Sequence, residues 1–201
     1  YQFLAVKDYF EGLDIPSVVF NDFTANPLYE DVCKGVKIFN AEQCDAIVAV
    51  GGGSSIDVAK CIKLFCKMDS AKNYLEQEFV DTGIPLIALP TTAGTGSEST
   101  RYAVIYYKGE KQSVTSQSII PNYAVLEPGV LKTLPIYQKK CTLLDALCQA
   151  IESWWSVNSN DESKEYSKIA IEKIVKNYKD YLCNPTDEVL ADIMLASNYA
   201  G

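Results

Sequence analysis

The 201-residue sequence contains no histidine. Chemistry that needs imidazole as proton carrier or metal ligand must draw it from outside these residues. Arginine is reduced to Arg101, and 18 Lys+Arg face 26 Asp+Glu, a net charge of -8. That sign argues against a protein that tracks nucleic-acid phosphates, and no nucleic-acid partner is expected. No apolar run reaches the roughly 18 residues of a membrane-spanning helix, so no membrane partner is expected. Cys-x-x-Cys is absent, and Cys33, Cys44, Cys61, Cys66, Cys141, Cys148 and Cys183 are odd in number and irregular in spacing. This argues against a disulfide framework and for a reduced, cytoplasmic setting in which cysteines act as small buried hydrophobes. The opening Tyr1–Lys7 has no basic flank before an apolar core and does not read as a signal peptide. Both ends carry helical patterns without a start or stop signal, which predicts a fragment.

An apolar share of 48% with 22% charged residues is that of a globular domain. Phe3, Val6, Tyr9 and Phe10 repeat as an amphipathic helix. Residues 15–20 (Ile-Pro-Ser-Val-Val-Phe) read as a short buried strand, and Asn26-Pro27 as a turn. Helical periodicity runs from Leu28 to Gln43. Ala46–Val50 is an unbroken apolar run, as in a parallel strand covered on both faces. A helix follows over about 56–67. Further strands are expected at 85–90, 101–107 and 122–126. From Gln138 to Gly201 the pattern is helical, with one polar break at 157–161. The alternation predicts an α/β nucleotide-binding domain over 1–134, followed by the start of an all-helical domain over 135–201.

Three groups of residues point to chemistry. Gly51-Gly52-Gly53-Ser54 joins a strand to a helix. Glycines allow the backbone to approach a phosphate, and the helix N-terminus offers N–H groups and the positive end of a dipole. Ser54 or Ser55 is expected to cap the helix, with Asp57 in its first turn. The bland alternative is a tight turn without a ligand. A second loop, Thr91-Thr92-Ala93-Gly94-Thr95-Gly96-Ser97-Glu98, follows the next strand and favours a ligand crevice, because open α/β sheets bind ligands at strand tips. Asp145 and Gln149 share a helix face by their i, i+4 spacing. Amid apolar neighbours that face is expected to be internal, with a metal or a simple hydrogen bond as its alternative uses.

Taken together, Asn26-Pro27, the block 51–57, the block 89–98 and Leu144-Asp145-Ala146-Leu147…Ala150-Ile151-Glu152-Ser153 resemble the iron-containing (group III) alcohol dehydrogenases. The resemblance implies a dehydroquinate-synthase-like fold: a Rossmann-like domain, then a helical domain, with the active site in the cleft. It implies that Gly52, Gly53 and Ser54 hold a dinucleotide pyrophosphate, that Thr91, Thr92 and Thr95 line its adenine and nicotinamide sides, and that Lys111 lies near a ribose. Asp145 matches a metal-ligating Asp. Gln149 stands where the family has a His, and a neutral amide is a weaker ligand for Fe²⁺ or Zn²⁺. Asn21, with Asp22 as rival register, matches the position that reads the ribose hydroxyls. A neutral Asn there predicts that NADPH is accepted.

The implied function is hydride transfer between NAD(P)H and a small aldehyde or primary alcohol, with a divalent metal on Asp145 polarising the carbonyl. The Gln149 replacement and Glu152-Ser153-Trp154-Trp155-Ser156 resemble the phosphonoacetaldehyde reductase branch. Arg101 could pair with a phosphonate, but an arginine is common at that place in the family, which favours the bland reading. The alternatives are a degenerate non-catalytic nucleotide binder and a polyol-phosphate dehydrogenase or dehydroquinate synthase relative. A small-molecule substrate and a homodimer or higher homo-oligomer are expected. Trp154 and Trp155 are expected in the core or the cleft wall, and Cys148 beside the site.

Overall fold

The computed structural model describes residue 12 and residues 15–201. The amphipathic pattern at Phe3, Val6, Tyr9 and Phe10 lies outside the described residues. In chain order the elements are α1 (Tyr29–Ala41), β1 (Ile47–Gly51), α2 (Gly53–Phe65), β2 (Leu86–Pro90), β3 (Tyr102–Tyr107), β4 (Glu110–Thr115), β5 (Tyr123–Ala124), α3 (Ile136–Trp155), α4 (Asp161–Cys183) and α5 (Asp187–Ala200). The chain divides into two compact units: residues up to 88 with 101–123, and residues 89–100 with 124–201. The fold is a Rossmann-like α/β region followed by a helical one.

In the first unit, Asn26 turns the chain with φ +57. Asp31 then reaches back to the Leu28 N–H at 3.4 Å and starts α1. Val32 and Val36 are one turn apart and wholly buried. Helix α2 is covered on nearly every side: Ile56, Val58, Cys61, Leu64 and Phe65 are all buried, and so are Lys60 and Lys63. The two lysines survive burial because their ammonium groups are satisfied. Lys60 Nζ donates to the Tyr102 carbonyl at 2.7 Å, and Lys63 Nζ to Asn122 Oδ1 at 3.2 Å. Burial nonetheless pulls the Lys63 pKa down.

The strands run in the order β1-β2-β5, and β3 and β4 form a separate antiparallel pair. The hairpin was not expected. Its turn, Lys108-Gly109, has φ +52 and +81, the left-handed pair that a two-residue turn requires. Residues 15–20 are not a strand: Val18 and Val19 are about half exposed and pair with no strand among the described residues. A β-branched run becomes a strand only where a ladder partner takes its N–H groups. Val48 in β1 is 43% exposed, so the described residues do not cover that strand on both faces.

In the second unit, α3, α4 and α5 pack Leu143, Ala146, Ala150, Ile174, Leu190 and Ile193 into one core. Asn160 caps α4 by accepting from the Ser163 N–H at 2.8 Å. A second break, not anticipated, falls at residues 184–186, where Thr186 accepts from the Val189 N–H at 3.3 Å and starts α5.

Candidate functional site

The glycine turn sits at the tip of β1. Gly51 has φ +153, and a Cβ there would meet the Ser55 side chain at 2.3 Å. Gly52 is the N-cap of α2, so the helix starts at Gly53, three residues before the expected point. Ser54 and Ser55 therefore lie in the first turn and are not its cap. The Ser55 and Ile56 N–H groups close onto the Gly52 carbonyl at 3.0 and 3.3 Å. The N–H groups of Gly53 and Ser54 have no intrahelical acceptor by helix geometry. Residues 51–55 are half-buried. This is the geometry of an anion cradle: two unspent donors at the positive end of a 13-residue helix. Asp57 lies beyond the first turn, contrary to expectation. Its Oδ2 accepts from the Val104 N–H at 3.0 Å and ties α2 to β3.

The loop after β2 belongs to the helical unit. Its glycines are there because other backbones are close. A Cβ on Gly94 would lie 2.8 Å from Thr142 Cα in α3, and one on Gly96 (φ +56) would lie 2.6 Å from Gly201 Cα. Ala93, Gly94, Gly96, Ser97 and Glu98 are buried, while Thr91, Thr92 and Thr95 keep part of their surface exposed. Thr95 Oγ1 accepts from the Ser97 N–H at 3.2 Å. The Glu98 carboxylate, 4% exposed, accepts from Asn198 Nδ2 in α5 at 3.2 Å. No local sequence signal announces that pair, because the partners are 100 positions apart.

Asp145 and Gln149 lie one turn apart on α3, and Gln149 Nε2 donates to Asp145 Oδ1 at 3.2 Å. The pair is not internal: Asp145 is exposed and Gln149 half-buried. Helix α3 turns the stripe Leu143, Ala146, Ala150 to its core, and Asp145 falls off that stripe. Among the described residues no cluster of three or more His, Cys, Asp or Glu side chains is placed to hold a metal.

Asn21 is exposed in an irregular segment. Its neighbour Asp22 forms an exposed ion pair with Lys34 at 3.3 Å. Lys111 is exposed on β4, opposite Tyr106. Arg101 turns back on Tyr102: its Nη2 lies 3.1 Å from the Tyr102 hydroxyl and its guanidinium 5.3 Å from the ring centre. Trp155 is 74% exposed and Trp154 41%, so neither is a core residue. Of the cysteines, only Cys61 and Cys66 are buried; Cys141, Cys148 and Cys183 are exposed.

A sequence model described as iron-containing alcohol dehydrogenase matches residues 2–128. The chain is similar to a 4-hydroxybutyrate dehydrogenase of Clostridium kluyveri, 35% identical over 171 residues, which covers 83% of this chain and 46% of that protein. It is also similar to alcohol dehydrogenase 4 of Schizosaccharomyces pombe, 32% identical over 98% of this chain and 47% of that one. Among solved structures, a sulfoacetaldehyde reductase from Bifidobacterium kashiwanohense in complex with NAD+ superposes with a TM-score of 0.92 at 29% identity, over 99% of this chain and 56% of that chain. The chain thus spans about half the length of the curated relatives it matches. From residue 2 onward, and across both the glycine turn and the loop after β2, the chain belongs to the iron-containing alcohol dehydrogenase family.

Proposed function

We propose that the full-length protein is a nicotinamide-dependent oxidoreductase that interconverts a small aldehyde and its primary alcohol. The observation that carries this reading is the turn at the tip of β1: the unspent Gly53 and Ser54 N–H groups at the start of α2, in a chain of this family. Gly52, Gly53 and Ser54 hold the pyrophosphate. Thr91, Thr92 and Thr95 supply hydroxyls to the adenosine and nicotinamide portions, and Lys111 serves a ribose. Asp57 supports the turn by tying α2 to β3 through the Val104 N–H. The reduced nicotinamide, when bound, supplies hydride to the aldehyde carbon. The protein's part is to fix the cofactor and exclude water.

Asp145 and Gln149 are the residues of this chain that would contribute to a divalent metal. Two oxygen donors fall short of the roughly four that a closed Zn²⁺ or Fe²⁺ shell takes. The pair alone does not fit a metal, and no step is assigned to one. Asp145→Ala in the full-length protein tests whether the residue contributes to a metal at all: a contribution lowers bound metal, read by elemental analysis, while dinucleotide affinity stays.

The substrate class is a short aldehyde with an anionic end. Support comes from the relatives: one is named for 4-hydroxybutyrate, a carboxylate, and another for sulfoacetaldehyde, a sulfonate. Phosphonoacetaldehyde, reduced to 2-hydroxyethylphosphonate, is the phosphonate member of that class. The test is loss of NAD(P)H absorbance with phosphonoacetaldehyde, sulfoacetaldehyde and an uncharged aldehyde of equal length. Preference for the uncharged aldehyde overturns the substrate class. Ser54→Asp sets a carboxylate at the proposed cradle and is expected to abolish NADH binding in a folded protein; unchanged binding overturns the cradle.

A further inference from the structure

The loop after β2 is fastened to two helices of its own unit. Gly94 lies against the α3 backbone at Thr142, and Gly96 against the end of α5 at Gly201. These contacts limit how far the loop can be pushed in, but a glycine contact does not choose which way the peptide planes face. The third fastening is made by a side chain. Asn198, in the last turn of α5, donates from Nδ2 to Glu98 Oε1 at 3.2 Å and to Ser99 Oγ at 2.5 Å. One amide thereby fixes two consecutive residues of the short turn Ser97–Ser99. Glu98 is a buried carboxylate, and removal of a donor from such a group costs more than the bond itself. Asn198 is thus one donor to a buried carboxylate and also ties its neighbour Ser99.

We propose that Asn198 is a positioning residue for the nicotinamide dinucleotide. It holds Glu98 and Ser99 and so sets the loop in which Thr91, Thr92 and Thr95 retain exposed surface. This rests on the reading of those threonines as cofactor contacts. It assigns to the helical unit, through α5, control over how tightly the cofactor is held.

The test uses the full-length protein and NADH as the probe. Asn198→Asp sets one carboxylate against another. The double variant Glu98→Gln with Asn198→Asp restores the same bond with donor and acceptor exchanged. Asn198→Asp is expected to weaken NADH binding about tenfold, the scale of one lost bond to a charged group. The KM for NADH should rise with it, while kcat at saturating cofactor changes little. The double variant should recover the affinity. If Asn198→Asp does not fold, Asn198→Ala carries the same expectation. A fall in melting temperature with unchanged NADH affinity in both single variants overturns the proposal, because it shows a merely structural tie. So does a double variant that regains stability without regaining affinity. Wild-type protein that binds neither NADH nor NADPH overturns the dinucleotide reading itself, a distinct result.

Discussion

Gly94 has no room for a side chain: any Cβ would lie 2.8 Å from a backbone atom of α3, which cannot rotate away as a side-chain tip can. Gly94→Ala is therefore expected to destabilise the fold by about 1–3 kcal/mol, the range for forcing extra atoms into a packed site. Denaturant unfolding of the full-length variant checks this; an unchanged midpoint would mean that the loop gives way. The opposite sign is expected at Tyr181. Its ring is fully buried, and its hydroxyl, among the described residues, lies away from solvent without a hydrogen-bond partner. Burial pushes its pKa up to about 12. A raised phenol pKa means that the neutral form is the one the fold tolerates, so this contribution is intact below about pH 10 and fades as pH climbs toward 12. Tyr181→Phe removes the orphaned group and is expected to leave stability unchanged or raise it by up to about 1 kcal/mol, with the alkaline loss reduced. Calorimetry at pH 7 and pH 11 reads both effects; a marked loss at pH 7 would show that the hydroxyl has a partner. At this scale the sequence shows which residues are small and not what they pack against. The glycines of the loop after β2 suggested a ligand, and their spacing could not reveal that Thr142 and Gly201 fill the space beside them.

Elements bounded by their own local signals were legible. The apolar run before Gly51 and the Val32/Val36 stripe of α1 fall where the pattern put them. Residues 15–20 did not, because strand formation depends on a partner that the run itself does not specify. The β3–β4 hairpin escaped notice because its second strand, Glu110–Thr115, is polar and exposed on alternate positions. Asn184-Pro185-Thr186 signals the end of α4, since proline and a capping threonine mark a new helix start. The two helices flanking that break are joined by Asp192. Its carboxylate on α5 takes the ammonium of Lys173 and, at 2.9 Å, the amide of Asn177, both on α4. The Lys173 bond holds the Asp192 pKa below its usual value. A depressed carboxylate pKa stabilises the fold above the unfolded pKa, near 3.9, and the benefit is lost as pH falls through the folded value. Asp192→Asn is expected to cost about 1–2 kcal/mol at pH 7 and to cost little at the acid end. Parallel acid titrations of wild type and variant decide it: a constant gap between the two curves would sever stability from the ionisation of Asp192.

Over these 201 residues, the net charge of -8 bears on which nicotinamide the proposed reaction would use. An acidic surface repels the extra 2′-phosphate of NADPH at long range, and salt within a Debye length of about 8 Å screens that repulsion. Local chemistry runs the other way. Asn21 is neutral, and the carboxylate of Asp22 is paired with Lys34 at 3.3 Å. A site with a neutral residue at the ribose does not reject a 2′-phosphate by charge at contact distance. NADH is the reference against which NADPH is judged. Local neutrality should allow NADPH to turn over, and the charge of these 201 residues should make its KM fall relative to that of NADH as ionic strength rises. Asp22→Asn leaves Asn21 in place and removes one of the carboxylates, and it should favour NADPH further, most of all at low salt. Steady-state rates with both cofactors at low and at near-physiological ionic strength measure each effect. Strict NADH dependence at both salt concentrations, unmoved by Asp22→Asn, would place the ribose-reading residue elsewhere in the chain and would leave Asn21 as an exposed turn residue with no part in cofactor choice.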